Sequence, residues 1–340
     1  MVIVLQVNFR LLGNMINKIF IIFFSLSFTF CSVGTNAGEW LEIDTGIRSI
    51  GMGTAQTASG RGISSTAYNP ANLAFLDKQE AFFNRTNYIV GMSHVFMGYA
   101  TPLSDDEVIG FNIFSFDSGE IDGTEETGFL NEAGEGGAYK VTNFLAKGLY
   151  SINVTDQFKI GASLKYMRED IDDMYMQGIA FDAGVSYALD AFGLVLGSSI
   201  TNLGPDIKFQ GKGLEVVDPD SGETIVRATE SFSLPTTIRF GVESQLMGNS
   251  SESFLYNDLL SLSLAFDGIS SVDSYFYSSI GAEFGFSDLL FARAGIYMGH
   301  DTKNLSFGLG LKYNWIKIDY AFTDYGILGS TGQFGIGLEF

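Results

Sequence analysis

The chain of 340 residues is 46% hydrophobic and 14% aromatic but only 17% charged, against about 25% charged in ordinary soluble domains. So apolar a composition excludes a disordered chain. Lys+Arg 19 against Asp+Glu 39, a net charge of −20, has the wrong sign for a phosphate backbone, so no nucleic-acid partner is expected.

The N-terminal region holds the one long apolar run, residues 19–30, too short for a spanning helix of about 20 residues. Lys18 precedes it and Thr35-Asn36-Ala37 follows as a small-residue cleavage site, the order of a secretory signal peptide over 1–37 whose true start is Met15. A lipoprotein reading of Cys31 is disfavoured because Phe30 stands where a small residue belongs. Cys31 is the sole cysteine, so a disulfide framework is excluded.

Residues 38–78 do not alternate and are rich in Gly, Ala, Ser and Thr. About forty residues rich in small side chains ahead of a barrel suit an N-terminal plug or hatch folded into its lumen, where Gly lets backbone approach a wall closely. Ser64 or Ser65 is the expected cap of a short helix that Pro70 restricts.

From residue 79 to 340 the chain alternates at period two. Phe334, Ile336, Leu338 and Phe340 oppose Gly335, Gly337 and Glu339, and Leu305, Phe307, Leu309, Leu311 and Tyr313 oppose Ser306, Gly308, Gly310 and Lys312. One face is greasy; the other is Gly, Ser and isolated charges. About fourteen strands follow: 79–86, 91–101, 107–116, 140–153, 156–168, 175–189, 192–202, 233–247, 257–267, 274–286, 289–299, 303–313, 315–323 and 332–340. The even number and the strand length predict an all-β transmembrane antiparallel barrel in lipid. With both termini periplasmic, connections after odd strands should be external and long; the two longest, 117–139 and 203–232, follow strands three and seven. Tyr99, Tyr150, Tyr187, Tyr313, Trp315 and Tyr325 fit interfacial girdles.

Two motifs carry a resemblance. Gly46-x-Arg48-x-x-Gly51-Met52-Gly53-x-Ala55-x-Thr57-Ala58, followed by Tyr68-Asn69-Pro70-Ala71-x-Leu73-Ala74, resembles the opening of the PorV/PorQ family, a branch of the FadL-like outer-membrane proteins. The tail, Ile318-Asp319-Tyr320-Ala321-Phe322 with Gly329 and Gly335 to Phe340, is similar to that family's last two strands. The resemblance implies a fourteen-stranded outer-membrane barrel of a Gram-negative-type bacterium, with Gly46, Arg48, Gly51, Gly53, Asn69, Pro70 and Ala71 as its hatch motif. It also implies one of two roles. PorV-like members serve type IX secretion, binding and shuttling cargo proteins to the secretion machinery, which is the expected function. The alternative is a FadL-like channel for long-chain fatty acids or other hydrophobic compounds. Membrane lipid is the constant partner, and the terminal aromatic Phe340 is the expected signal to the assembly machinery.

Chemistry finds little support. Gly51-Met52-Gly53 lacks the spacing, strand and lysine of a nucleotide loop, and no G-x-S-x-G elbow is present. His94 and His300 have no ligand-spaced partner. No enzyme, cofactor or metal is therefore expected. Acidic loops (Asp117, Glu120, Asp122, Glu125, Glu126, Glu132 and Glu135; Asp170, Asp172 and Asp173; Asp218, Asp220 and Glu223) read as solvated surface ahead of Ca²⁺ sites. Arg48, Arg61, Lys165, Arg239, Arg293 and Lys312 are sparse cations, several on the lumen parity, expected to pair with Glu243, Glu283 or Asp319 and fasten the plug; one or two of them meeting a substrate carboxylate is the sharper alternative.

Overall fold

The computed structural model describes residues 36–122, 137–189, 192–217, 224–226, 229–250, 252–272 and 274–340. The expected signal peptide, apart from Asn36 and Ala37, and Glu125, Glu126, Glu132, Glu135, Asp218, Asp220 and Glu223 lie outside the described residues.

The alternating stretches form fourteen long strands. They are β1 (Glu80–Asn87), β2 (Ser93–Pro102), β3 (Glu107–Asp122), β4 (Ala138–Asn153), β5 (Phe158–Ile171), β6 (Met174–Ala188), β7 (Leu194–Leu203), β8 (Thr237–Gly248), β9 (Leu260–Ser271), β10 (Tyr277–Phe286), β11 (Leu290–Met298), β12 (Leu305–Tyr313), β13 (Ile316–Asp324) and β14 (Ser330–Glu339). Each pairs antiparallel with the next, and β1 closes on β14 from Glu80↔Glu339 to Thr86↔Gln333. Closure leaves no unpaired edge, which a hydrocarbon surround requires.

Side-chain facing follows the sequence. Phe307, Leu309, Phe334 and Ile336 are exposed on the outside while Ser306, Thr331 and Gln333 are buried within. An even-stranded closed barrel with a greasy exterior and a polar interior is an outer-membrane architecture, and this protein is an outer-membrane barrel. Tyr99, Tyr150, Tyr187, Tyr313 and Trp315 stand exposed near the ends of β2, β4, β6 and β12, an interfacial belt at one rim. Tyr325 departs from the expectation. It is buried, because it turns inward at the opposite rim onto Tyr88.

Several boundaries move for local reasons. β3 runs on to Asp122 through a bulge at Ser118–Gly119, where Gly119 has φ +72°, so Asp117, Glu120 and Asp122 are strand residues and Asp117 pairs with Lys140 at 2.6 Å. Asp170 likewise belongs to β5, leaving Asp172-Asp173 as a tight hairpin turn. β8 starts at Thr237 and not at 233, since Pro235 has no N–H to give the ladder. The long connections 123–137 and 204–236 do follow odd strands, but 88–92 and 172–173 at the same end are short, and 249–259 at the other end is longer than its neighbours.

Candidate functional site

Residues 36–78 fill the lumen. Asn36 and Ala37 bridge to Ser233 (Ala37 N–H to Ser233 O, 3.0 Å) at the end of the barrel that carries the long connections. Gln79 exchanges two 3.0 Å backbone bonds with Phe340 at the other end. Both ends of the barrel proper share one rim, as expected, but the plug starts at the opposite rim and descends through the lumen.

Glycine faces glycine where plug meets wall. A Cβ on Gly51 would lie 2.9 Å from Gly308 Cα, and one on Gly53, which has φ +63°, would lie 3.1 Å from Ile296 N. Wall glycines on other strands stand against the plug in the same way: Gly98 meets Ile63, Gly161 meets Pro70 and Ala71, and Gly335 meets Ile47. The hatch glycines of the sequence motif are thus packing glycines. Gly46, too, abuts Ser49 and Ser64 too closely for a side chain.

The short helix does not start at Ser64 or Ser65. Asn69 is its N-cap, accepting from Ala71 N–H at 3.0 Å, and Pro70 occupies the first helical position, where its missing N–H costs nothing. The Asn69 amide also donates to Thr57 O (2.8 Å) and to Val185 O on β6 (3.0 Å), so one side chain ties helix, plug and wall together. Ala71 is fully buried behind it.

Charges fasten the other half. Arg48 donates twice to Glu283 on β10 (2.9 and 2.8 Å) and once each to Gln56 and Ser59. Arg293 bridges Glu283 and Asp319, both at 2.5 Å, and Arg61 meets Glu243 at 2.7 Å. Burial opposes the Arg48 charge, yet Glu283 outweighs it and raises the guanidinium pKa. Asp267 on β9 accepts from Gln56 N–H, Thr57 N–H and the Thr57 hydroxyl at 2.7–2.8 Å. Lys312 pairs with Glu339 at 2.9 Å, a pair within the wall.

Arg239 is different. Among the described residues it forms no ion pair, donating to Thr201 at 3.1 Å beneath the Tyr68 ring. Beside it, Lys147 and Lys165 share one carboxylate, Asp182, at 2.9 and 2.7 Å, and Lys165 also donates to Asn202. Asn202 sits at a bulge in β7 with φ +61°. Two ammonium groups on one carboxylate, with Arg239 nearby, leave this part of the lumen positive.

The inner face of β2–β6 is also greasier than expected. Phe96, Phe114, Leu145, Leu149, Met167 and Met176 are buried there and pack with Trp40 and Leu234 into one apolar cluster. Trp40 stacks on Phe114 with ring centroids 6.0 Å apart and planes 7° from parallel. Below lies an inner cavity of about 40 Å³ lined by Trp40, Phe96, Phe114, Leu145, Lys147 and Lys165, among others.

At the outer rim Asp44 pairs with Lys303 at 2.5 Å and accepts from the Tyr68 hydroxyl at 3.0 Å. Burial works against the Lys303 charge, but Asp44 and the hydroxyls of Tyr325 and Tyr297 hold its pKa well above the ordinary value. Burial and Lys303 push His300 down to about 4. His300 Nδ1 accepts backbone N–H groups of Thr302 and Lys303, a structural role.

The structure thus joins Arg48 to Glu283, Arg61 to Glu243, and Gly51 and Gly53 to the wall backbone, leaves Arg293 and Lys312 in pairs within the wall, and sets Arg239 apart. Asp182, Lys147, Asp267 and Trp40 were not singled out from sequence. A lone acid on the Gly/Ser parity was the available signal for Asp182 and Asp267; nothing local marked Trp40.

The sequence matches no protein-family model and no curated protein. Solved structures do resemble the fold. The toluene transporter TodX of Pseudomonas putida aligns over 92% of this chain and 98% of its own at 13% identity, with a TM-score of 0.55. The toluene transporter TbuX of Ralstonia pickettii aligns over 88% and 98% at 13% identity, TM-score 0.54. A FadL homologue of Pseudomonas aeruginosa aligns over 87% and 98% at 13% identity, TM-score 0.51. The likeness is one of fold: a fourteen-stranded outer-membrane barrel.

Proposed function

We propose that the protein passes hydrophobic small molecules across the outer membrane, the role expected second from sequence, without covalent chemistry. One observation carries this reading: an aromatic and aliphatic pocket inside the lumen, ending on Lys147 and Lys165. A lumen that served only as a filled wall would have no reason to be apolar on one side and positive beside it. The fold shared with toluene transporters supports the same reading. In this reading Arg239 and the Lys147/Lys165 pair, two ammonium groups on the single carboxylate of Asp182, receive the polar end of the cargo, while Arg48 and Arg61 hold the plug to Glu283 and Glu243.

The type IX secretion reading rests on the sequence resemblance at the two ends of the chain, the 46–58 and 68–74 motifs and the tail from Ile318 to Phe340. Gentle purification from the native outer membrane, with mass spectrometry of the lipids and proteins that accompany the chain, separates the two. An apolar molecule without a protein partner is the expected result. A secreted protein recovered in near-equal amount through its C-terminal domain would overturn it in favour of the shuttle.

A further inference from the structure

The segment from Gly38 to Ile43 stands between three cavities of the outer lumen. A mouth cavity of about 330 Å³ is lined by Asn143, Glu169, Phe209, Phe232 and the chain from Asn36 to Trp40. A second, of about 220 Å³, lies on the tyrosine side, against Tyr88 and Tyr325. The inner cavity of about 40 Å³ lies beneath. Each pair of cavities shares one wall residue, and all three belong to this segment: Glu39, Ile43 and, between mouth and inner cavity, Trp40.

Trp40 is placed there by backbone geometry. Gly38 takes φ +79°, a conformation L side chains rarely adopt, and a Cβ there would lie 3.1 Å from the Met167 methyl. The single turn that follows, Glu39–Glu42, swings the indole onto Phe114. Polar atoms wait on both sides of the ring: Asn143 Oδ1 in the mouth cavity and Thr45 Oγ1 in the inner one are buried and, among the described residues, have no hydrogen-bond partner. A sealed partition between dry compartments would leave such groups at a cost of about 1–3 kcal/mol each, whereas a route that carries hydrogen-bonding molecules uses them.

We propose that Trp40 is the size-selecting residue of the passage: its indole closes the step from the mouth cavity to the inner cavity, and a molecule enters the Lys147/Lys165 pocket only when that ring swings off Phe114. The inference rests on the passage reading above. It names the residue that decides which molecules pass, and it makes entry of an aromatic probe depend on the bulk of one side chain.

The chain has a single cysteine, so labelling can report the route. In full-length protein carrying C31S, Thr45→Cys places a thiol below Trp40 and Asn143→Cys places one above it. N-phenylmaleimide is added to the folded barrel, and folding of each variant is checked by its shifted migration on unheated gels. With Trp40 present, the cysteine at 45 should react slowly and that at 143 fast. Trp40→Ala should speed labelling at 45 about tenfold, matching loss of one aromatic stack, and leave 143 unchanged, with Trp40→Phe between them. Equal rates at 45 with Trp, Phe and Ala would sink the gate and leave the passage standing. Labelling at 143 with none at 45 in any variant would sink both.

Discussion

The plug has two parts built on different principles. From Thr45 to Leu76 it is riveted: glycine against glycine, Arg48 on Glu283, two backbone N–H groups on Asp267, Asn69 joining helix to wall. From Asn36 to Ile43 its tethers include Ser233 at one end and a 2.6 Å bond that the Thr237 hydroxyl donates to Glu42. The riveted part meets its wall through charge and close backbone; the tethered part meets its wall mainly through Trp40 and its apolar neighbours. A lumen that must stay sealed and yet admit cargo needs both: a fixed floor, and a lip whose main packing is apolar.

The largest test of the contrast is Glu283→Ala. It takes from Arg48 its carboxylate partner and leaves Arg293 with Asp319 alone, and breaking a buried pair costs about 3–5 kcal/mol, so the folded barrel should melt at markedly lower urea. The same substitution at Glu42 on the lip should shift the midpoint little; equal losses would erase the distinction. The wall supplies the next scale. Ile336→Arg faces lipid and should cost about 2–4 kcal/mol, whereas Gly337→Arg faces the lumen and should assemble more readily. Equal assembly of the two would refute the facing. Asp267→Ala leaves two plug N–H groups unpaired, about 1–3 kcal/mol, and should raise hydrogen exchange at Gln56 and Thr57 before anywhere on the lip.

The smallest effect is one of pH. His300, depressed to about 4 in the folded protein against about 6.5 unfolded, binds its proton more readily when the outer rim opens. Its contribution is therefore present above about pH 6.5 and is lost as pH falls toward about 4. Protection of residues 299–304, taken relative to the intrinsic exchange rate at each pH, should fall across that window, and His300→Gln should flatten the response.

Much of the barrel was legible in the sequence because parity is a local signal. Phe334 to Phe340 or Leu305 to Tyr313 declare their faces within nine residues, and the pairing of plug arginines with Glu283 and Glu243 followed from putting sparse cations on the lumen side. What was not legible depended on distant partners. The capping role of Asn69 and the benign place of Pro70 depend on where the turn before them ends. The extension of β3 depends on a Gly119 bulge facing β4. Tyr325 carries the same alternation as the girdle residues but lies where the chain turns inward over Lys303. Trp40 has no periodic neighbours at all, and its stack on Phe114 joins segments that only the closed barrel brings together.

The descent of the plug from one rim to the other also constrains how the molecule is made. Arg48 and its partner Glu283 are 235 positions apart, and Gly51 rests on Gly308 in β12. These contacts tie the first elements of the chain to its last strands, so the plug cannot complete its native packing until β10–β12 stand beside it. Contacts so far apart in sequence form slowly. Plug and wall thus reach their final fit together.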